Sequence, residues 1–131
     1  MTEYHEQCAV FAWAALMEGQ YPELRLLHAS LNGAALAGGG RSWAILERAG
    51  AKKGVPDMLL PVARQGYHGL FIELKHGKNR ASAEQLLWIA ELERQGYLAV
   101  VCREAEGAIA ELKEYLGTGL SSERMGENGN S

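Results

Sequence analysis

The sequence predicts an α/β fold, a mixed central β-sheet flanked by helices. Two short apolar stretches, 57–62 and 70–75, are separated by a loop of hairpin length. A helical segment then leads into a further apolar run at 98–102, the pattern of a helix returning the chain to the sheet. Segments of helical period stand at both ends of this block. With 131 residues, 47% of them hydrophobic, the chain is long enough for one sizeable core.

Thr2 caps a helix from Glu3 to about Met17, with Cys8, Phe11, Ala12, Ala15 and Leu16 on one stripe. Leu24 to His28 is a candidate edge strand. Asn32-Gly33 and Gly38-Gly39-Gly40 mark a flexible connection, and Ser42 caps a short helix to Ala49. Lys52-Lys53-Gly54-Val55-Pro56 is an extended, basic approach to the strand 57–62, stiffened by the proline. In the strand Leu70 to Lys75, Leu70, Ile72 and Leu74 share one face, and Phe71, Glu73 and Lys75 the other.

Ser82 opens a helix to about Gln95, whose Gln85, Trp88, Ile89 and Leu92 form the stripe turned to the sheet. Leu98 to Cys102 is continuous enough for a strand buried on both faces. Ala105, Ala108, Ile109, Leu112, Tyr115 and Leu116 recur at helical spacing until Gly117. The folded domain is therefore residues 1–117, followed by a polar tail, 118–131, expected to be disordered. Cys8 and Cys102 lie in apolar segments and read as buried free thiols, not a disulfide. No apolar run is long enough to span a membrane and the N-terminus lacks a signal-peptide head, so a cytoplasmic protein is expected, bacterial or in a phage-infected host.

The net charge of −3 is unevenly distributed. Residues 41–80 carry eight Lys/Arg against three acids, a local +5, while the remainder carries −8. A local positive field of this kind holds a polyanion. Inside it lie Asp57, Glu73 and Lys75. Alternation places Glu73 and Lys75 on one strand face, and pairing through the hairpin brings Asp57 opposite them. Two carboxylates that close repel unless a proton or a cation intervenes. Mg²⁺ suits such a pair, being a hard ion bound by one or two carboxylates, waters and phosphate oxygens. An ion there polarises a phosphate and activates a water, and Lys75 offsets the developing negative charge. An acid-x-lysine triplet alone is common; Pro56-Asp57 one hairpin upstream makes the set more specific.

Gly54-Val55-Pro56-Asp57, then Gly69-Leu70-Phe71-Ile72-Glu73-Leu74-Lys75, Ser82-Ala83-Glu84-Gln85 and Gly96-Tyr97, in that order, resemble the VRR-NUC (virus-type replication-repair nuclease) domain of the PD-(D/E)XK nuclease superfamily. The resemblance covers about residues 3 to 117. It implies a restriction-endonuclease-like core and Mg²⁺-dependent phosphodiester hydrolysis by metal-activated water, with Mn²⁺ substituting. It also implies branched DNA, as for Holliday-junction resolvases, and a homodimer.

On the same basis Asp57 and Glu73 are metal ligands, helped by the Leu74 backbone carbonyl, and Lys75 is the catalytic lysine. A first-helix acid completes the set, with Glu6 the best match and Glu3 its competitor. Gln85 is placed beside the catalytic centre, although Ser82 and Gln85 also make a complete capping box. Lys52, Lys53, Lys78, Arg80 and Asn32 are candidate DNA contacts, Asn32 being equally well read as part of a plain turn. His76 reads as a surface residue, and Trp13, Trp43 and Trp88 as core or dimer contacts. The competing functions are a non-catalytic branched-DNA-binding module on the same fold, and a nuclease acting on linear or flap DNA.

Overall fold

Helix α1 (Glu3–Leu16) begins at Thr2, whose side chain accepts a hydrogen bond from the His5 N–H. The computed structural model describes residues 2–37 and 42–117; the glycine triplet 38–40, Arg41 and the tail 118–131 lie outside them. The face of α1 that is buried is not the expected apolar stripe. Glu6, Gln7, Val10 and Ala14 face inward, while Cys8, Ala12, Ala15 and Leu16 are exposed. Apolar side chains lie all around this helix, so period alone does not choose a face. Two polar partners fix it: Glu6 accepts from the Ala105 N–H at 2.7 Å, and Gln7 donates to the Gly33 carbonyl at 3.1 Å. Cys8 is thus an exposed free thiol, while Cys102 is buried and its thiol is pushed up to about 12 by burial.

The expected strand at 24–28 is mostly a 3-10 turn, Pro22–Leu26, followed by the two-residue strand β1 (His28–Ala29). Pro22, with its fixed φ and missing donor, starts a helical turn more readily than a strand. Asn32-Gly33 is not a loose connection but part of the short helix α2 (Leu31–Ala34), capped by the Ser30 hydroxyl, which accepts from the Gly33 N–H. Helix α3 (Trp43–Arg48) follows.

Strand β2 (Met58–Leu60) pairs antiparallel with β1 and with β3 (Leu70–Lys75). Helix α4 (Ala83–Arg94) then carries the chain to β4 (Leu98–Arg103), which runs parallel to β3. The sheet order is β1-β2-β3-β4, so β3 is interior and β4 is an edge. This corrects the expectation for β4, whose Val101 is 39% exposed. Leu98 and Cys102 pack into the core on one face and Ala99 is buried on the other, while Val101 on that second face opens to solvent.

Helix α5 (Glu104–Leu116) completes the fold. Val10 and Ala14 of α1 and Ala108, Leu112 and Tyr115 of α5 form one core with Leu70, Ile72 and Leu74. Helix α4 lies on the other face of the sheet, packed on β4 and reaching Glu73 of β3 through Gln85, with Gln85, Trp88, Ile89 and Leu92 half-buried and its remaining residues exposed. A strand with helices on both faces buries both of its side-chain rows. Glu73 and Lys75 are therefore enclosed, at 1% and 8% exposure. None of the described helices is long and apolar enough to cross a membrane.

Candidate active site

The position of Asp57 is set by its backbone. The Ser30 N–H donates to the Asp57 carbonyl at 2.8 Å, and the Ser30 hydroxyl to the Pro56 carbonyl at 2.8 Å. Gly33 lies so close that a Cβ there would stand 2.2 Å from the Asp57 carbonyl oxygen, a contact only glycine avoids. The Asn32 amide meanwhile donates to the carbonyls of Lys52 and Val55 at 2.9 and 3.0 Å. Asn32, expected at the DNA, is thus a staple for the segment leading to Asp57, although it also lines the cavity described below.

Met58 pairs with Ile72, and continuing that antiparallel register by one residue sets Asp57 against Glu73. Asp57 Oδ2 accepts from the Leu74 N–H at 2.8 Å, so the engagement the structure shows for Leu74 is its N–H with Asp57. Lys75 Nζ lies 3.4 Å from Glu73 Oε2. Gln85 Nε2 donates to the same oxygen at 2.9 Å, while Gln85 Oε1 accepts from the Ser82 N–H at 2.8 Å. Gln85 bridges the two: one end of its amide closes the capping box and the other grips Glu73.

Burial, and then the adjacent Asp57 charge, push the Glu73 carboxyl up to about 8. Asp57 is raised as well, chiefly by burial, against the opposing pull of the Leu74 N–H and of Glu73 itself. Near neutral pH the crowded pair therefore favours a proton shared between its two carboxyls. Glu73 Oε1 is also buried without a hydrogen-bond partner. An orphaned buried oxygen on a pair of hard carboxylate ligands fits a divalent ion, which would replace the proton and satisfy the oxygen.

A cavity of about 370 Å³ opens on these groups, lined by Asp57, Glu73, Lys75 and Gln85 and also by Glu3, Lys53 and Glu84. Glu6 is not among its lining residues. Glu6 Oε1 is taken by the Ala105 N–H at the start of α5, and Oε2 lies 4.0 Å from His76 Nδ1. The first-helix acid at the cavity is Glu3, whose Oε2 accepts from Asn79 Nδ2 at 3.0 Å and from the His76 N–H at 3.4 Å. The two acids stand three positions apart, close to one helical turn, so their order in sequence did not tell them apart.

Lys53 is exposed and lines the cavity; Lys52, Lys78 and Arg80 are exposed outside its lining. His76 is half-buried, its Nδ1 2.6 Å from Glu104 Oε1, and is a strut at the end of β3 more than a surface residue. Leu36 and Trp43 also line the cavity. Sequence reasoning missed them because they flank the glycine triplet, where no periodicity assigns a face.

The VRR-NUC domain family model matches residues 2–106 of the chain. Among solved structures, one described as "VRR_NUC domain protein" aligns with a TM-score of 0.69 and 30% identity, over 89% of this chain and 91% of that one. No curated protein matches significantly.

Proposed function

This chain belongs to the VRR-NUC domain family, and from that premise we propose that it is a Mg²⁺-dependent endonuclease that hydrolyses phosphodiester bonds of branched DNA, with Mn²⁺ able to substitute. The observation that carries this reading is the buried Asp57–Glu73 pair, one oxygen orphaned, beside Lys75 in an open cavity.

Asp57 and Glu73 would hold the ion, with Glu3 as the first-helix acid in place of Glu6. When bound, it polarises the scissile phosphate and lowers the pKa of a water. The protein's own groups do the rest. The Leu74 N–H fixes Asp57 Oδ2, and Gln85 Nε2 holds Glu73 Oε2, leaving Oε1 free to ligate. The Asp57–Glu73 pair releases its shared proton as the site is loaded. Lys75 Nζ places a cation where negative charge grows on the phosphoryl oxygens. Lys53 offers a phosphate contact, which positions DNA without reading its bases.

A homodimer belongs to the same proposal, because a two-fold interface presents two equivalent sites to the two strands of a junction. The test is a panel of four-way junctions, flaps, splayed arms and linear duplex, with Mg²⁺, Mn²⁺ or chelator. Metal-dependent products from the branched substrates, absent for Asp57→Ala and Glu73→Ala, support the reading. Tight binding of branched DNA with no product under any metal would make the chain a binding module. Sedimentation showing only monomer at cleaving concentrations would remove the paired cut.

A further inference from the structure

Trp43 begins α3, a helix in which no residue is fully buried; Trp43 and Leu46 are half-buried. Trp43 lines the same cavity as Asp57, Glu73 and Lys75, and Leu36 is a second apolar residue of that lining. Its indole Nε1–H is shielded from solvent and has no hydrogen-bond partner among the described residues. A tryptophan that serves only packing ordinarily has that N–H satisfied, and an unsatisfied one calls for an explanation. The ring is held by no polar anchor, so turning toward a ligand would break no hydrogen bond.

A metal and a phosphate need carboxylates and a lysine; they do not need an indole. A nucleobase does, because its flat face stacks on aromatic rings whatever its sequence. The cavity, about 370 Å³ and open to solvent, has room for a nucleotide beside these carboxylates. Bases in a continuous duplex are held in the stack, and extracting one costs least where it is already unpaired. Resting on the nuclease reading above, we infer that Trp43 stacks against an unpaired base next to the scissile phosphate, so that the enzyme selects DNA offering an unstacked nucleotide over continuous duplex.

The test compares wild type with Trp43→Ala and Trp43→Phe on two substrates of one sequence: a splayed-arm DNA and a continuous duplex. Once products have been mapped, 2-aminopurine replaces the base next to the cut, and its fluorescence is read with Ca²⁺ in place of Mg²⁺. Trp43→Ala should lower kcat/KM on the splayed arm by roughly 5- to 150-fold, the equivalent of a lost base–aromatic stack. Duplex cleavage should change far less, Trp43→Phe should restore most of the loss, and the 2-aminopurine quench should vanish in the alanine variant alone.

Equal losses on both substrates, no loss on either, or a quench that survives in Trp43→Ala would overturn the inference while leaving the nuclease reading intact. If wild type cuts neither DNA, the nuclease reading fails. The quench, with the 2-aminopurine then placed at the branch point, still decides whether Trp43 holds a base. Thermal melts of both variants separate a stacking loss from misfolding, and the phenylalanine variant keeps the ring if alanine does not fold.

Discussion

Two acid-bearing clusters flank the C-terminal end of β3, and their polar atoms are in opposite states. Glu6, His76 and Glu104 bring ligand-type atoms within 4.8 Å of one another, a spacing that by distance alone resembles a metal site. Yet Glu6 Oε1 has the Ala105 N–H, Glu104 Oε2 the Gly77 N–H, and Glu104 Oε1 the His76 ring. The Asp57–Glu73 pair is crowded, buried and left with an orphaned oxygen. Proximity of acids is common to both; a buried carboxyl pair raised by desolvation belongs to one. The satisfied cluster ties α1 and α5 to the end of β3, and the Asp57–Glu73 pair is the one whose crowding and orphaned oxygen fit the proposed ion.

The largest contrast is expected in activity. Asp57→Asn and Glu73→Gln should each lower cleavage by about a thousandfold or more, since an ion supplies several kcal/mol of transition-state stabilisation. Gln85→Ala should follow with a loss of about 10–100-fold, the usual effect of removing the partner that orients a ligand, together with a lower melting temperature from the broken capping box. Kinetics and melts on the same preparations check both.

The satisfied cluster should show the reverse. Glu6→Ala should cost roughly 1–3 kcal/mol of stability, because it strands the Ala105 N–H, while cleavage stays near wild type. A Glu6→Ala variant that is stable but inactive would break the contrast.

The two clusters also differ in the sign of their pH dependence. Glu73 is raised from 4.5 to about 8, so its contribution to metal-free stability is complete below 4.5 and is lost as pH climbs through about 8. Glu104 is lowered, first by the Gly77 N–H and then by His76, so its contribution is present above 4.5 and is lost as pH falls through its folded value. Melts in chelator should therefore decline between about pH 5 and pH 8.5, and Glu73→Gln should flatten that decline. This is the smallest of the expected effects.

Much of the site was legible because β-structure has a strict period. Strand β3 begins and ends at the residues the sequence reading chose, and period two then put Glu73 and Lys75 on one face. Pro56 and the hairpin spacing brought in Asp57, and the stripe of α4 brought in Gln85. Helix α1 resisted the same treatment. Its period holds Glu3 and Glu6 close together, and only tertiary contacts send one to the cavity and the other to α5. Strand β4 misled for a related reason: an apolar run does not reveal whether a strand lies at a sheet's edge, which depends on the strand order. Asn32 and Gly33 look like an ordinary turn, and their use emerges only where Gly33 meets the Asp57 carbonyl.

The difference between the two clusters reduces to one binding experiment: calorimetric titration of Mn²⁺ at pH 7 in buffers of different ionisation enthalpy. Wild type and Glu6→Gln should bind the ion and release about one proton from the Asp57–Glu73 pair, whereas Glu73→Gln should bind weakly and release fewer. Undiminished binding by Glu73→Gln, with binding lost in Glu6→Gln, would place the metal at the other cluster and contradict the account.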